Sequence, residues 1–199
     1  MKRFSDRLTE KLIKEGIIAE ELADFYSYGF ERICIPALMY LIIIITAFIT
    51  NTLVPSIIFT VSFVLQRQFC GGYHCSSAQK CTVVSLVIYS VIPILTFVNS
   101  RTLMNILPVL SVPAAILIFL TTPAVDPNNP HSDSELRHFK LLSRTITVIV
   151  LIFETILFVM KSSIICLSLS YSMIVTSLLL IVSFMKGRKN EENSVKGSC

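Results

Sequence analysis

The chain has 199 residues, 53% of them hydrophobic and only 15% charged, with a mean hydropathy of +0.73. Soluble domains carry about 25% charged residues, so a soluble globular enzyme is excluded and a one-domain, all-α polytopic membrane protein is expected. The net charge of +4 comes without the dense basic blocks or aromatic–basic alternation that nucleic-acid binding needs, so no nucleic-acid partner is expected.

In residues 1–32, Phe4, Leu8, Leu12, Ile13, Ile17, Leu22, Phe25 and Tyr26 recur at helical spacing, with charged residues between them. This predicts an amphipathic N-terminal helix region, broken near Gly16, that lies in the membrane interface or covers the membrane domain. A soluble helical cap fits the pattern equally. The mixed charge does not read as a secretory signal peptide, which needs an apolar stretch behind a basic start.

A helical membrane domain is expected over 33–185, with apolar segments at about 33–50, 53–65, 82–98, 103–121, 145–160 and 164–185. A full helical span takes about 20 residues. The segment 53–65 is shorter and carries Pro55, so a re-entrant insertion and a steep crossing both fit it. Pro93, Pro108 and Pro113 fall inside apolar segments, where they should kink helices unless neighbours satisfy the freed carbonyls. Residues 186–199 form a polar tail.

If all six segments cross and the N-terminus is inside, the inner regions are 1–32, 66–81, 122–144 and 186–199. They then hold 15 of the 17 Lys and Arg residues, and only Arg101 and Lys161 fall outside. The positive-inside rule therefore predicts cytoplasmic termini, with cytoplasmic loops at 66–81 and 122–144. Of the six cysteines, Cys34 and Cys166 fall in apolar segments, where cysteine packs as a small hydrophobe. Cys70, Cys75, Cys81 and Cys199 fall on the reducing side, so a disulfide framework is not expected.

The loop 67–81 reads RQFCGGYHCSSAQKC. Cysteine chemistry requires a thiolate, and an imidazole is the usual acceptor of its proton. The loop therefore suggests a cysteine-dependent enzyme at a membrane surface, with His74 and Cys81 as its reactive pair. Seven residues on one rigid helix would separate them by about 10.5 Å along the axis, too far for a hydrogen bond. His74 is thus expected in the glycine turn or the first helical turn, with Cys81 on the helix that follows. Gly71 and Gly72 can take backbone angles closed to other residues, and such a turn can aim N–H groups at a developing oxyanion. Two other readings stand beside this one. Cys81 as packing with His74 as a solvated loop residue fits the spacing. Zinc ligation by Cys70, His74, Cys75 and Cys81 would depart from the usual paired CxxC spacing.

The pattern Arg67-x3-Gly71-Gly72-x-His74-x6-Cys81 resembles the signature of the accessory gene regulator protein B (AgrB) family, membrane cysteine endopeptidases that process quorum-sensing propeptides. Pro123-x2-Asp126-x2-Asn129-Pro130, followed by Arg137 and Lys140, resembles the family's later loop, and the likeness in length and apolar pattern covers nearly the whole chain. The resemblance implies that Cys81 is the nucleophile and His74 the general base. It further implies cleavage of an AgrD-like propeptide through an acyl-enzyme thioester, which a cysteine or serine of the peptide then attacks to close a thiolactone or lactone. It also implies a multi-pass protein of the bacterial cell membrane, a homodimer, and no cofactor or metal. Arg67, Arg137, Lys140 and Arg144 are expected to bind acidic parts of the propeptide, although positive-inside placement alone explains basic residues there. Gln68, Ser76, Ser77 and Gln79 are candidates for orienting His74. Asp126 suits a turn in its Pro-Asn-Pro loop better than a catalytic role. Glu154, inside an apolar segment, is a functional candidate on the cost of an intramembrane carboxylate. The readings from other classes are a small membrane transporter or exporter, which Glu154 and the proline-bearing helices favour, and a metal-binding membrane sensor.

Overall fold

A computed structural model describes the backbone of residues 2–71, 78–98, 100–123, 132–161 and 163–196. Among the described residues there are seven α-helices and no strand: α1 (Lys2–Lys14), α2 (Ala23–Ile49), α3 (Leu53–Cys70), α4 (Ala78–Val98), α5 (Arg101–Thr121), α6 (Asp133–Val159) and α7 (Ser163–Lys196). The last six are each long and apolar enough to cross a membrane, as the hydropathy pattern predicts. The apolar window 53–65 is only part of α3, because the helix continues through Gln66, Arg67, Gln68 and Phe69 to Cys70. Its 18 residues rise about 27 Å, close to the thickness of the hydrocarbon layer. Pro55 lies in the first turn of α3, where its missing N–H has no intrahelical partner to lose.

At the N-terminal end, α1 stops at Lys14 and the chain turns at Gly16, whose φ is +68°. A 3-10 turn, Glu20–Leu22, leads into α2, which begins ten residues before the apolar segment at 33. Ser27 Oγ donates to Asp6 Oδ1 at 2.5 Å and ties α1 to the start of α2. At the other end, α7 runs past the apolar segment into the polar tail as far as Lys196. Lys, Arg and Glu there are good helix formers and need no core to propagate a turn.

The bundle is organised around α7. In its most apolar stretch 61% of residues are buried, against 11% for α4. Its inward positions include Ser168, Ser170, Ser172, Thr176 and Ser177, all buried. Small side chains let helices approach closely where lipid supplies no hydrophobic drive between them. Several of these hydroxyls bond back to carbonyls one turn earlier, such as Thr176 Oγ1 to Ser172 O at 2.8 Å. Helix α3 lies parallel to α7: Phe59 stacks on Tyr171 with centroids 5.2 Å apart, Ser62 meets Ser172 at 2.7 Å, and Cys70 packs with Leu180. Helix α4 joins them through the edge-on Phe59–Tyr89 pair and the Tyr171 hydroxyl, which donates to Ile88 O at 3.1 Å.

Helices α5 and α6 are antiparallel, with Thr122 against Ser143 at 2.7 Å and Ser111 against Glu154 at 2.6 Å. The end of α3, the start of α4, the end of α5 and the start of α6 therefore share one end of the bundle. The α4–α5 and α6–α7 turns lie at the opposite end. Large apolar side chains point outward along its length, Phe97 with 92% of its surface open. Such a surface fits lipid as its solvent.

Candidate active site

Helix α3 ends at Gly71, where φ is +71° and ψ −146°. Residues with a Cβ are essentially barred from that region, so the glycine is what allows the chain to leave the helix this way. Arg67, one turn back, donates from Nη1 to Gly71 O at 2.8 Å. A guanidinium on a carbonyl near the C-terminal end of a helix also suits the helix dipole. Between them, the Cys70 side chain is fully buried against Ile118, Leu180 and Leu117.

Cys81 sits in the first turn of α4, half-buried and with a free thiol. Gly72, His74, Cys75, Ser76 and Ser77 lie outside the described residues, as do Asp126, Asn129, Pro130 and the side chain of Gln79. Gln68 is exposed on α3.

The second basic stretch starts α6. Ser132 caps the helix with Glu135, the serine oxygen accepting from Glu135 N at 3.4 Å and the glutamate accepting from Ser132 N at 2.9 Å. Phe139 meets Phe69, the residue before Cys70, with ring centroids 6.3 Å apart. The two loops that resemble the family's motifs are thereby flanked by helix ends in contact. Arg137 and Lys140 are exposed on α6 and, three residues apart, share one face. Arg144 is engaged differently. Its Nε donates to Phe119 O at 3.2 Å and its guanidinium lies 4.6 Å from the centre of the Phe119 ring. It closes the carbonyl end of α5, which explains its position without a substrate.

The described cysteines, Cys34, Cys70, Cys81 and Cys166, are all free thiols. Among the described residues no group of three or more His, Cys, Asp or Glu is placed to hold a metal. Cys70, one of the four donors in the zinc reading, is buried among aliphatic side chains.

Glu154 is 98% buried between α5, α6 and α7. Its Oε1 lies 2.6 Å from Ser111 Oγ and 2.5 Å from Ser170 Oγ, while Oε2 has no protein partner. It borders a cavity of about 420 Å³ lined by Pro108, Val112, Leu151 and Phe158. A second buried polar group joins α3 to α7, with Gln66 Nε2 donating to Ser62 Oγ at 2.9 Å and to Ser172 Oγ at 3.1 Å. Sequence reasoning singled out Glu154 and expected serine or threonine partners on another helix, which Ser111 and Ser170 supply; it did not foresee the Gln66 group. Buried serines recurring along an apolar helix were the available signal.

The model of the family described as accessory gene regulator B matches residues 5–188. An AgrB-like protein of Clostridium perfringens is 26% identical over 187 residues, covering 94% of this chain and 98% of its own length. An AgrB-like protein of Lactiplantibacillus plantarum is 25% identical, covering 96% and 92%. The accessory gene regulator protein B of Staphylococcus aureus is 30% identical over 109 residues, 54% of this chain and 58% of that protein. No solved structure matches. With the family model covering nearly every residue that builds the bundle, the chain belongs to the accessory gene regulator B family.

Proposed function

We propose that this protein is a membrane cysteine endopeptidase that cleaves an AgrD-like quorum-sensing propeptide and supports its cyclisation, with Cys81 as nucleophile and His74 as general base. The family match over residues 5–188 carries this reading. The position of Cys81 near the start of α4, at the end of the bundle where α3 ends, supports it.

His74 takes the proton of the Cys81 thiol, and the sulfur attacks the peptide carbonyl at the cleavage point. The oxyanion of the tetrahedral intermediate is met by N–H groups from the Gly71-Gly72 turn and the first turn of α4. As the C–N bond breaks, His74 returns its proton to the leaving amine, and the acyl group stays on Cys81 as a thioester. A thiol or hydroxyl within the peptide then attacks that thioester, closing the ring and releasing the Cys81 thiol. A site at the bilayer edge favours this attack over hydrolysis by limiting water. Arg67 in this reading holds the turn by its bond to Gly71 O and presents charge to acidic peptide residues, with Arg137 and Lys140 on α6 binding the acidic C-terminal part. In this reading the Cys81 end and both termini face the cytoplasm, which the positive-inside rule supports. The working unit in the bacterial cell membrane is a homodimer.

The test is a processing assay in liposomes containing the chain and its propeptide, read by mass spectrometry. Wild type is expected to cleave, with a thioester adduct that Cys81→Ala abolishes and His74→Ala strongly reduces. Unimpaired cleavage by folded Cys81→Ala would overturn the mechanism.

A further inference from the structure

Two Lys or Arg residues stand apart from the other fifteen in the chain's charge pattern. Arg101 opens α5, and Lys161 occupies the α6–α7 turn with φ +57°. Sixty residues separate them in sequence, yet both line one cavity of about 530 Å³ together with Asn105. The rest of its wall is Met104, Leu157, Phe158, Val159 and Cys166. The cavity therefore joins two cations and an amide to an apolar floor. It lies at the end of the bundle opposite Cys81, since α4 runs from Cys81 toward Arg101 and α6 runs from Arg137 toward Lys161. A few residues deeper, the Glu154 cavity shares Phe158 with it.

From this juxtaposition we propose that the Arg101–Asn105–Lys161 cavity binds one anionic phospholipid, its phosphate between the two cations and the first part of an acyl chain on Leu157, Phe158 and Val159. The charge complementarity is specific to this end. Basic residues are otherwise confined to the Cys81 end, so a general attraction to anionic lipid would act there, and the two exceptions converge on a single hollow. Lipid phosphate is the anion that reaches this depth beside outward-facing apolar helices, and an arginine with a lysine can hold it by charge-assisted hydrogen bonds. The apolar floor separates a phospholipid from a free anion, which would gain nothing from it. This site is independent of the peptidase reading, because none of its residues belongs to the Cys81 end.

The experiment uses the full chain, delipidated in a neutral detergent. It measures thermal stability and native mass spectra with phosphatidylglycerol, phosphatidylcholine or inorganic phosphate added. Wild type is expected to retain one phosphatidylglycerol and to gain stability from it, with little response to phosphatidylcholine or phosphate. Arg101→Gln combined with Lys161→Asn, asparagine being tolerant of positive φ, should weaken that retention roughly thirty-fold. Equal retention by wild type and the double variant would overturn the proposal. A wild type stabilised as much by inorganic phosphate, marking a free-anion site, or by phosphatidylcholine, marking a charge-blind groove, would also overturn it. If the double variant fails to fold, the three-ligand comparison on wild type decides alone.

Discussion

The two ends of the helix bundle use their cations differently. At the Cys81 end, Arg67 and Arg144 each bind a backbone carbonyl at or near a helix C-terminus, Gly71 O and Phe119 O. At the opposite end, Arg101 and Lys161, sixty residues apart in sequence, line the same cavity. A guanidinium placed on a terminal carbonyl fixes how a chain leaves its helix. Arginine does this well because its planar fork loses less freedom per hydrogen bond than a lysine stem. The difference teaches that cations at the Cys81 end frame helix exits, whereas at the far end two of them share one cavity wall.

Substitutions can break or sharpen that contrast. The largest effect is expected from Cys81→Ala, which should lower propeptide cleavage by about a thousand-fold or more while leaving the melting temperature unchanged. Next comes Gly71→Ala, which should cost about 1–3 kcal/mol of local strain. Cleavage should fall with it, whereas Gly16→Ala, also at positive φ but with open space around it, should leave cleavage intact. Equal activity of the two variants would show that the α3 exit does not shape the site. Arg144→Ala removes a charged hydrogen bond and a ring contact, so it should lower stability in detergent by about 1–2 kcal/mol. A drop in cleavage without loss of stability would instead return Arg144 to the substrate-binding group. The smallest effect belongs to Arg137→Ala with Lys140→Ala, expected to raise KM roughly threefold with kcat and stability unchanged. An unchanged KM would leave these two residues with orientation alone.

Much of this architecture was legible in the sequence because lipid imposes simple rules. Long apolar runs must be helices, and basic residues mark one side. The extent of α3 was less visible. Hydropathy falls at Gln66, but Gln66 is buried against Ser62 and Ser172, 106 residues apart from the latter in sequence, and no local window weighs that contact. Glu154 stood out as a charge in an apolar run, yet Ser111 and Ser170 could be found only once α5 and α7 were laid beside α6. The Phe119 contact of Arg144, expected with Arg137 and Lys140 to meet the propeptide, was hidden for a similar reason. The three share a helix face, and only the approach of Phe119 separates the one that closes α5 from the two that stay exposed. Within the motif, the Arg67–Gly71 spacing of one helical turn was readable, while burial of Cys70 against Leu180 depended on a helix more than a hundred residues away.

The most enclosed of the described helices, α7, is made after the helices it packs against. While a ribosome is still making α7, the preceding helices lack the strand of hydroxyls and small side chains around which they pack, and Glu154 and Gln66 lack Ser170 and Ser172. Insertion of α2–α6 can therefore proceed helix by helix, but they acquire the centre of their bundle only when α7 docks among them. Because Ser170, Ser172 and Thr176 can each bond a carbonyl of α7 itself, that helix can enter lipid with its polar groups already satisfied and exchange those bonds for interhelical ones as it docks.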